Sequence, residues 1–213
     1  MCVIGSCGLL GKAARHKLRA MRATAKPQRT AWYVISLRPI GQHGGVRRAA
    51  ARAGMGCIAI STMRIAPCDD AASKQALRRA LAAPVIVFTS PNAVRSAAAM
   101  TSLRGPRGRI ACAVGGGTAA ALSRAGVRGV EVPARADSDG LLALEVLQDV
   151  RGRQVGLVTA PGGRDRIAPG LRARGAQVIR ADVYARAPQA PTARAWQALR
   201  DTRGKLALSL IHI

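Results

Sequence analysis

VIVFTSPNAV, residues 85–94, is the stretch from which the rest of the chain can be read. Val85 to Phe88 is a short apolar, largely β-branched run of the kind that forms a strand covered on both faces. It ends in Thr89, Ser90, Pro91 and Asn92, small polar residues suited to capping a helix that starts there. A buried strand that feeds a polar turn and then a helix is the repeating unit of an α/β protein. Such a turn offers hydroxyls and free backbone N–H groups to an anion.

The same unit recurs on both sides. From Trp32 the chain predicts strands over 32–37, 56–61, 84–89, 109–114, 129–132, 154–159 and 177–184. Helices are expected over 43–53, with Gly54 as the stop, and over 70–82, and Ala-, Leu- and Arg-rich helical stretches separate the later strands. Residues 63–70 show no clear periodicity. Repeated strand and helix at this spacing implies right-handed βαβ units and a parallel sheet. In open sheets of that kind the ligand crevice lies beyond the carboxyl ends of the strands.

Four turns occupy that position: Thr89-Ser90-Pro91-Asn92, Gly115-Gly116-Gly117-Thr118, the loop with Asp137, Ser138, Asp139 and Gly140, and Thr159-Ala160-Pro161-Gly162-Gly163-Arg164. All four are expected to open helices. Glycine lets the backbone approach a ligand closely, and a helix N-terminus favours an anion by roughly 0.3–1 kcal/mol. Carboxylates or phosphates suit such turns; simple helix capping is the plainer alternative. The glycine turn lacks the lysine of a P-loop and the GxGxxG spacing of a dinucleotide fingerprint. No GxSxG elbow or HExxH motif is present, and His43 is the one histidine inside the folded part, which leaves no Ser-His-Asp set. An enzyme of this sequence works by binding and orienting its substrate, without a cofactor.

Composition narrows the classes further. The 213 residues are 49% hydrophobic and carry 34 basic against 10 acidic side chains, a formal charge of +24. That excess keeps a polyanionic ligand or nucleic acid in play. Only five of the bases are lysine, and two Trp, two Tyr and one Phe leave little for nucleotide bases to stack on. Arginine in an Ala- and Gly-rich chain suggests GC-rich codons instead, and no specific nucleic-acid binding is expected. Five cysteines, Cys2, Cys7, Cys57, Cys68 and Cys112, form no CxxC pair, and His16, His43 and His212 have no neighbouring ligand cluster, so no metal site is readable. An odd count of cysteines, two of them in strand-like runs, suits a reducing, cytoplasmic compartment. No apolar run reaches the roughly 18 residues of a membrane span. Residues 1–31 read as a basic extension, solvated or non-native, with Met21 as a candidate start; a basic arm for nucleic acid or membrane is the sharper alternative. The closing LSLIHI, residues 208–213, reads as an adaptor-derived scar.

Taken in order, VIVFTSPNAV (85–94), AVGGGTAAAL (113–122), PARADSDGL (133–141), VTAPGGRDRIAPGLRARGAQV (158–178) and VYAR (183–186) resemble the uroporphyrinogen-III synthases, over roughly Trp32 to Ala207. The resemblance implies two α/β domains with parallel sheets flanked by helices, a two-stranded connector and an active site in the cleft between the domains. It also implies cyclisation of the linear tetrapyrrole hydroxymethylbilane to uroporphyrinogen III, with loss of water, inversion of ring D and no cofactor, by a monomer. Residues 32–62 and 186–207 would form domain 1 and residues 63–185 domain 2. The connector would use Arg64-Ile65-Ala66-Pro67 and Val183-Tyr184-Ala185-Arg186.

Carried over by position, Thr89 and Ser90 match the family's hydroxyl pair, Thr118 its glycine-turn threonine, and Tyr184 its cleft tyrosine. Tyr184 is then the candidate catalytic residue, donating a proton or hydrogen bond to the departing hydroxyl. Arg38, Thr89, Ser90, Gly116, Gly117, Thr118, Ser138, Gly162, Gly163 and Arg164 are the candidate substrate-binding residues, facing the acetates and propionates. Leu37 stands where the family usually has threonine before Arg-Pro. Domain 1 as read lacks about three strand and helix units, which makes it incomplete and this chain an expected inactive fragment. A basic polyanion- or RNA-binding module without catalysis is the alternative reading.

Overall fold

A computed structural model describes residues 32–106, 108–162 and 165–209. The expected α/β architecture is present. A five-stranded parallel sheet of order β6-β5-β4-β7-β8 is built from Val85–Phe88 (β4), Ile110–Ala113 (β5), Val130–Glu131 (β6), Gln154–Thr159 (β7) and Gln177–Asp182 (β8). β4 is its centre, and all four of its residues are buried. Alternation along the strand sends them to two cores. Ile86 and Phe88 pack with Leu77, Ala93, Val94, Leu122 and Tyr184, under helices α2 (Ala71–Leu81), α3 (Pro91–Met100) and α4 (Gly116–Arg124). Val85 and Val87 pack with Leu141, Leu147, Val155, Leu157 and Leu171, under α5 (Ser138–Leu142), a 3-10 turn at Glu145–Leu147 and α6 (Ile167–Ala173). Each such side chain contributes about 1.5–3 kcal/mol by leaving water.

A three-stranded parallel sheet of order β10-β1-β2 forms the smaller layer, from Trp32–Ser36 (β1), Gly56–Ala59 (β2) and Lys205–Ser209 (β10). Its helices are α1 (Gly44–Arg52), which buries only Ala50, and α7 (Ala193–Arg200), which buries nothing. Gly54 follows α1 at φ +67°, the left-handed stop predicted for it. Between the two sheets runs an antiparallel ribbon of Met63–Pro67 (β3) and Tyr184–Pro188 (β9), with Ile65 opposite Arg186 and Pro67 opposite Tyr184.

Three sequence expectations are corrected. The strand predicted over 177–184 is two: β8 ends at Asp182, Val183 donates its N–H to Thr159 (3.0 Å), and Tyr184 begins the ribbon. The stretch 63–70, aperiodic in sequence, contains β3 where the resemblance set the connector segment 64–67; its partner lies more than 100 residues away, so local pattern could not show it. The turn after β7 does not open its helix directly, because α6 starts at Ile167. Leu208 and Ser209 extend β10 opposite Ile35 and Ser36.

Candidate active site

Parallel strands place their carboxyl ends on one side, and the turns after β4, β5 and β7 meet there. Opposite them stands the loop after β1, and the β3–β9 ribbon closes one flank. The space between is a cavity of about 900 Å³ lined from the five-stranded side by Thr89, Ser90, Asn92, Arg95, Gly117, Arg124, Asp137, Ser138, Thr159, Gly162, Asp165 and Arg180, from the three-stranded side by Arg38, Gln42 and Gly44, and from the ribbon by Tyr184 and Arg186.

The hydroxyl groups are fixed by the elements that carry them. Ser90 caps α3, accepting from the Ala93 N–H at 3.1 Å, and its Oγ lies 3.1 Å from the Tyr184 hydroxyl. Thr89 donates to Thr159 across β4 and β7 (2.9 Å). Tyr184 is only 1% exposed, its ring set in the core on the Ile86 and Phe88 face of the five-stranded sheet and its hydroxyl at the cavity. Asp137 caps α5 through the Gly140 N–H (2.7 Å), and that bond, followed by the bond from Arg135, holds its carboxyl below the usual range.

Charge is unevenly matched. Arg180 is paired with Asp182 (3.1 Å) and Asp165 (3.2 Å), which keeps it firmly protonated. Arg38, Arg95, Arg124 and Arg186 also line the cavity, and none has a carboxylate in salt-bridge range among the described residues. Burial, then repulsion from Arg124, pulls the Arg95 guanidinium below its ordinary value; its partner is the amide oxygen of Asn92, which also accepts from Gln42 across the cleft at 2.9 Å. The Nε atoms of Arg38 and Arg186 are buried without any hydrogen-bond partner. Unsatisfied cationic donors are costly, and an anion in the cavity would relieve them.

Of the residues expected at the site, Tyr184, Arg38, Thr89, Ser90, Gly117, Ser138 and Gly162 share this wall. Thr118 is buried within α4, and Gly116, in the same turn, is not part of the lining. Gly163 and Arg164 lie outside the described residues. Sequence reasoning missed Gln42, Arg95, Arg124, Arg180 and Arg186 and named Asn92 only as part of the turn after β4; the position of Arg186 in VYAR, two residues past Tyr184, was the one other hint. It also missed His43, 7% exposed, which joins Ser36 (2.9 Å) and Ser61 (2.8 Å) beside an adjoining cavity of about 390 Å³. Among the described residues, no cluster of three or more His, Cys, Asp or Glu side chains could hold a metal, and no helix is long and apolar enough to cross a membrane.

The model of the family described as uroporphyrinogen-III synthase HemD matches residues 46–208. No curated protein sequence matches the chain. Among solved structures, a mutant uroporphyrinogen III synthase from Thermus thermophilus matches with a TM-score of 0.56 at 19% identity, covering 84% of this chain and 72% of that one. Two further structures of the synthase from that organism match at 20% identity with TM-scores of 0.47 and 0.45, covering 75% and 74% of this chain. The match spans 63% and 64% of their own lengths.

Proposed function

Because the chain belongs to the uroporphyrinogen-III synthase (HemD) family, whose model matches residues 46–208, we propose that it cyclises hydroxymethylbilane to uroporphyrinogen III with loss of water and inversion of ring D. The observation that carries this reading is the cavity itself: four arginines with no carboxylate in salt-bridge range among the described residues line it together with Tyr184. A linear tetrapyrrole bearing an acetate and a propionate on each ring supplies the missing negative charge, and each charge-assisted hydrogen bond is worth about 1.5–3 kcal/mol.

In the proposed mechanism, Tyr184 donates its phenolic proton to the departing hydroxyl, which leaves as water. Closure with inversion breaks the methylene-bridge bond to ring D and re-forms it at that ring's other, unsubstituted α-carbon, which releases a proton, and that proton restores the phenol. Ser90, 3.1 Å away, orients the hydroxyl, while Thr89, Gly117, Ser138, Gly162 and Arg38 hold the carboxylates so that the chain ends meet. The proposal calls on no metal or organic cofactor and takes the protein as a cytoplasmic monomer without specific nucleic-acid binding.

The test is a cyclisation assay on freshly made hydroxymethylbilane that scores the type III against the type I isomer. Type III product is the expected outcome. Type I product alone, the result of spontaneous closure, would sink the reading.

A further inference from the structure

Arg186 and Arg180 stand on the same cavity wall and differ in how their charge is held. Arg180 has two aspartates. Arg186 has none among the described residues: its Nη1 makes long contacts to the carbonyl oxygens of Pro161 (3.4 Å) and Gly162 (3.5 Å), and its buried Nε has no acceptor. A structural arginine in this wall therefore looks like Arg180, and Arg186 carries a charge that the fold leaves unanswered. It also sits two residues after Tyr184 in β9, on the same side of the strand, with its guanidinium carbon 5.9 Å from the centroid of the Tyr184 ring. The contacts of Nη1 leave the Nε and Nη2 edge of the guanidinium, the edge that grips a carboxylate with two parallel bonds.

We propose that Arg186 binds one acetate or propionate carboxylate of the tetrapyrrole beside Tyr184, and that the same guanidinium, lying over the phenol ring, holds the Tyr184 hydroxyl in register with that carboxylate. Arg186 is thus a ligand for the substrate and a positioning residue for the proton donor. The nature of the carboxylate ligand rests on the synthase reading; the existence of a carboxylate site does not.

The test uses uroporphyrin I, an unreactive octacarboxylate whose fluorescence reports binding, on the 213-residue protein and its R186Q, R186K and R128Q variants. R186Q is expected to weaken binding about tenfold or more, and R186K to recover part of the loss, because an ammonium keeps the charge but not the planar fork. R128Q removes an exposed cation outside the cavity and is expected to bind as the parent does. In turnover, R186Q is expected to raise KM and to lower kcat as well, the split that separates holding substrate from holding Tyr184. If R186Q melts early, R186K decides: several-fold weaker binding supports the site. Binding of either folded variant equal to the parent would overturn it. A parent that binds uroporphyrin through Arg186 yet yields only type I product would sink the synthase reading and leave the carboxylate site standing. Unchanged binding with type III turnover would do the reverse.

Discussion

Tyr184 and Ser90 share a hydrogen bond of 3.1 Å, and removing each has a different expected result because only Ser90 also caps a helix. Tyr184→Phe keeps the buried ring and deletes the proton, so kcat is expected to fall about 10²-fold with KM and melting temperature nearly unchanged. A Phe variant at full cyclisation rate would end the catalytic assignment. His43 makes a pH prediction. Burial first, then Arg47 and Arg38, hold its imidazole below 6.5. The folded protein therefore takes up a proton less readily than the unfolded chain, so unfolding binds a proton in the interval between the two values. Its contribution to stability is fully present above about pH 6.5 and declines as pH falls through the folded value. Urea midpoints measured from pH 8 down to pH 5 should fall more for the parent than for His43→Gln; parallel curves would refute the assignment. Cys112 shows the opposite shift without chemistry: burial pushes its thiol up to about 12, leaving it an inert small hydrophobe.

At the scale of elements, α3 and α2 give measurable consequences. Ser90→Ala removes the cap of α3 and is expected to cost about 1 kcal/mol, seen as a lower denaturation midpoint, together with a loss of activity through Tyr184. Gly156 in β7 has a geometric reason to be glycine: a Cβ there would lie 2.0 Å from the carbonyl oxygen of Ala80, where α2 rests directly on the sheet. Gly156→Ala is expected to destabilise by about 1–3 kcal/mol, because backbone must move to admit the methyl group. Helices and buried strands were readable from local pattern because period and capping are local properties: β4 is apolar throughout, and Asp70 caps α2 at the start of the helix expected over 70–82. The ribbon was not readable as a pair from periodicity. β3 and β9 meet only through contacts between residues over 100 positions apart, and it was family resemblance that marked the residues around Arg64 and Tyr184.

The molecule as a whole is asymmetric in its burial. The five-stranded sheet is covered on both faces by two apolar cores, whereas the three-stranded layer leaves Trp32, Trp196, Leu206 and Leu208 exposed and has a helix with no buried residue. Amide exchange is therefore expected to be slowest in β4, β5 and β7 and fast in α7 and β10; uniform protection across both sheets would contradict this picture. The unmatched arginines of the cleft make polycarboxylate binding salt-sensitive, and raising ionic strength from about 0.05 to 0.3 M is expected to weaken uroporphyrin binding severalfold as the Debye length shrinks. By itself the sequence determined the α/β class, the parallel central sheet, the polar turns at its carboxyl ends and, by resemblance, the family and its tyrosine, because strand period, helix caps and ordered motifs are all written along the chain. Only the tertiary structure decided which cations share the cavity. Arg38, Arg95, Arg124 and Arg186 come from a loop, two helices and a ribbon, among 34 basic residues that look alike in sequence. What sets them apart is that the fold gathers them at one cavity with no carboxylate in salt-bridge range of any of the four among the described residues, and that is a property of distance in space, not of position in the chain.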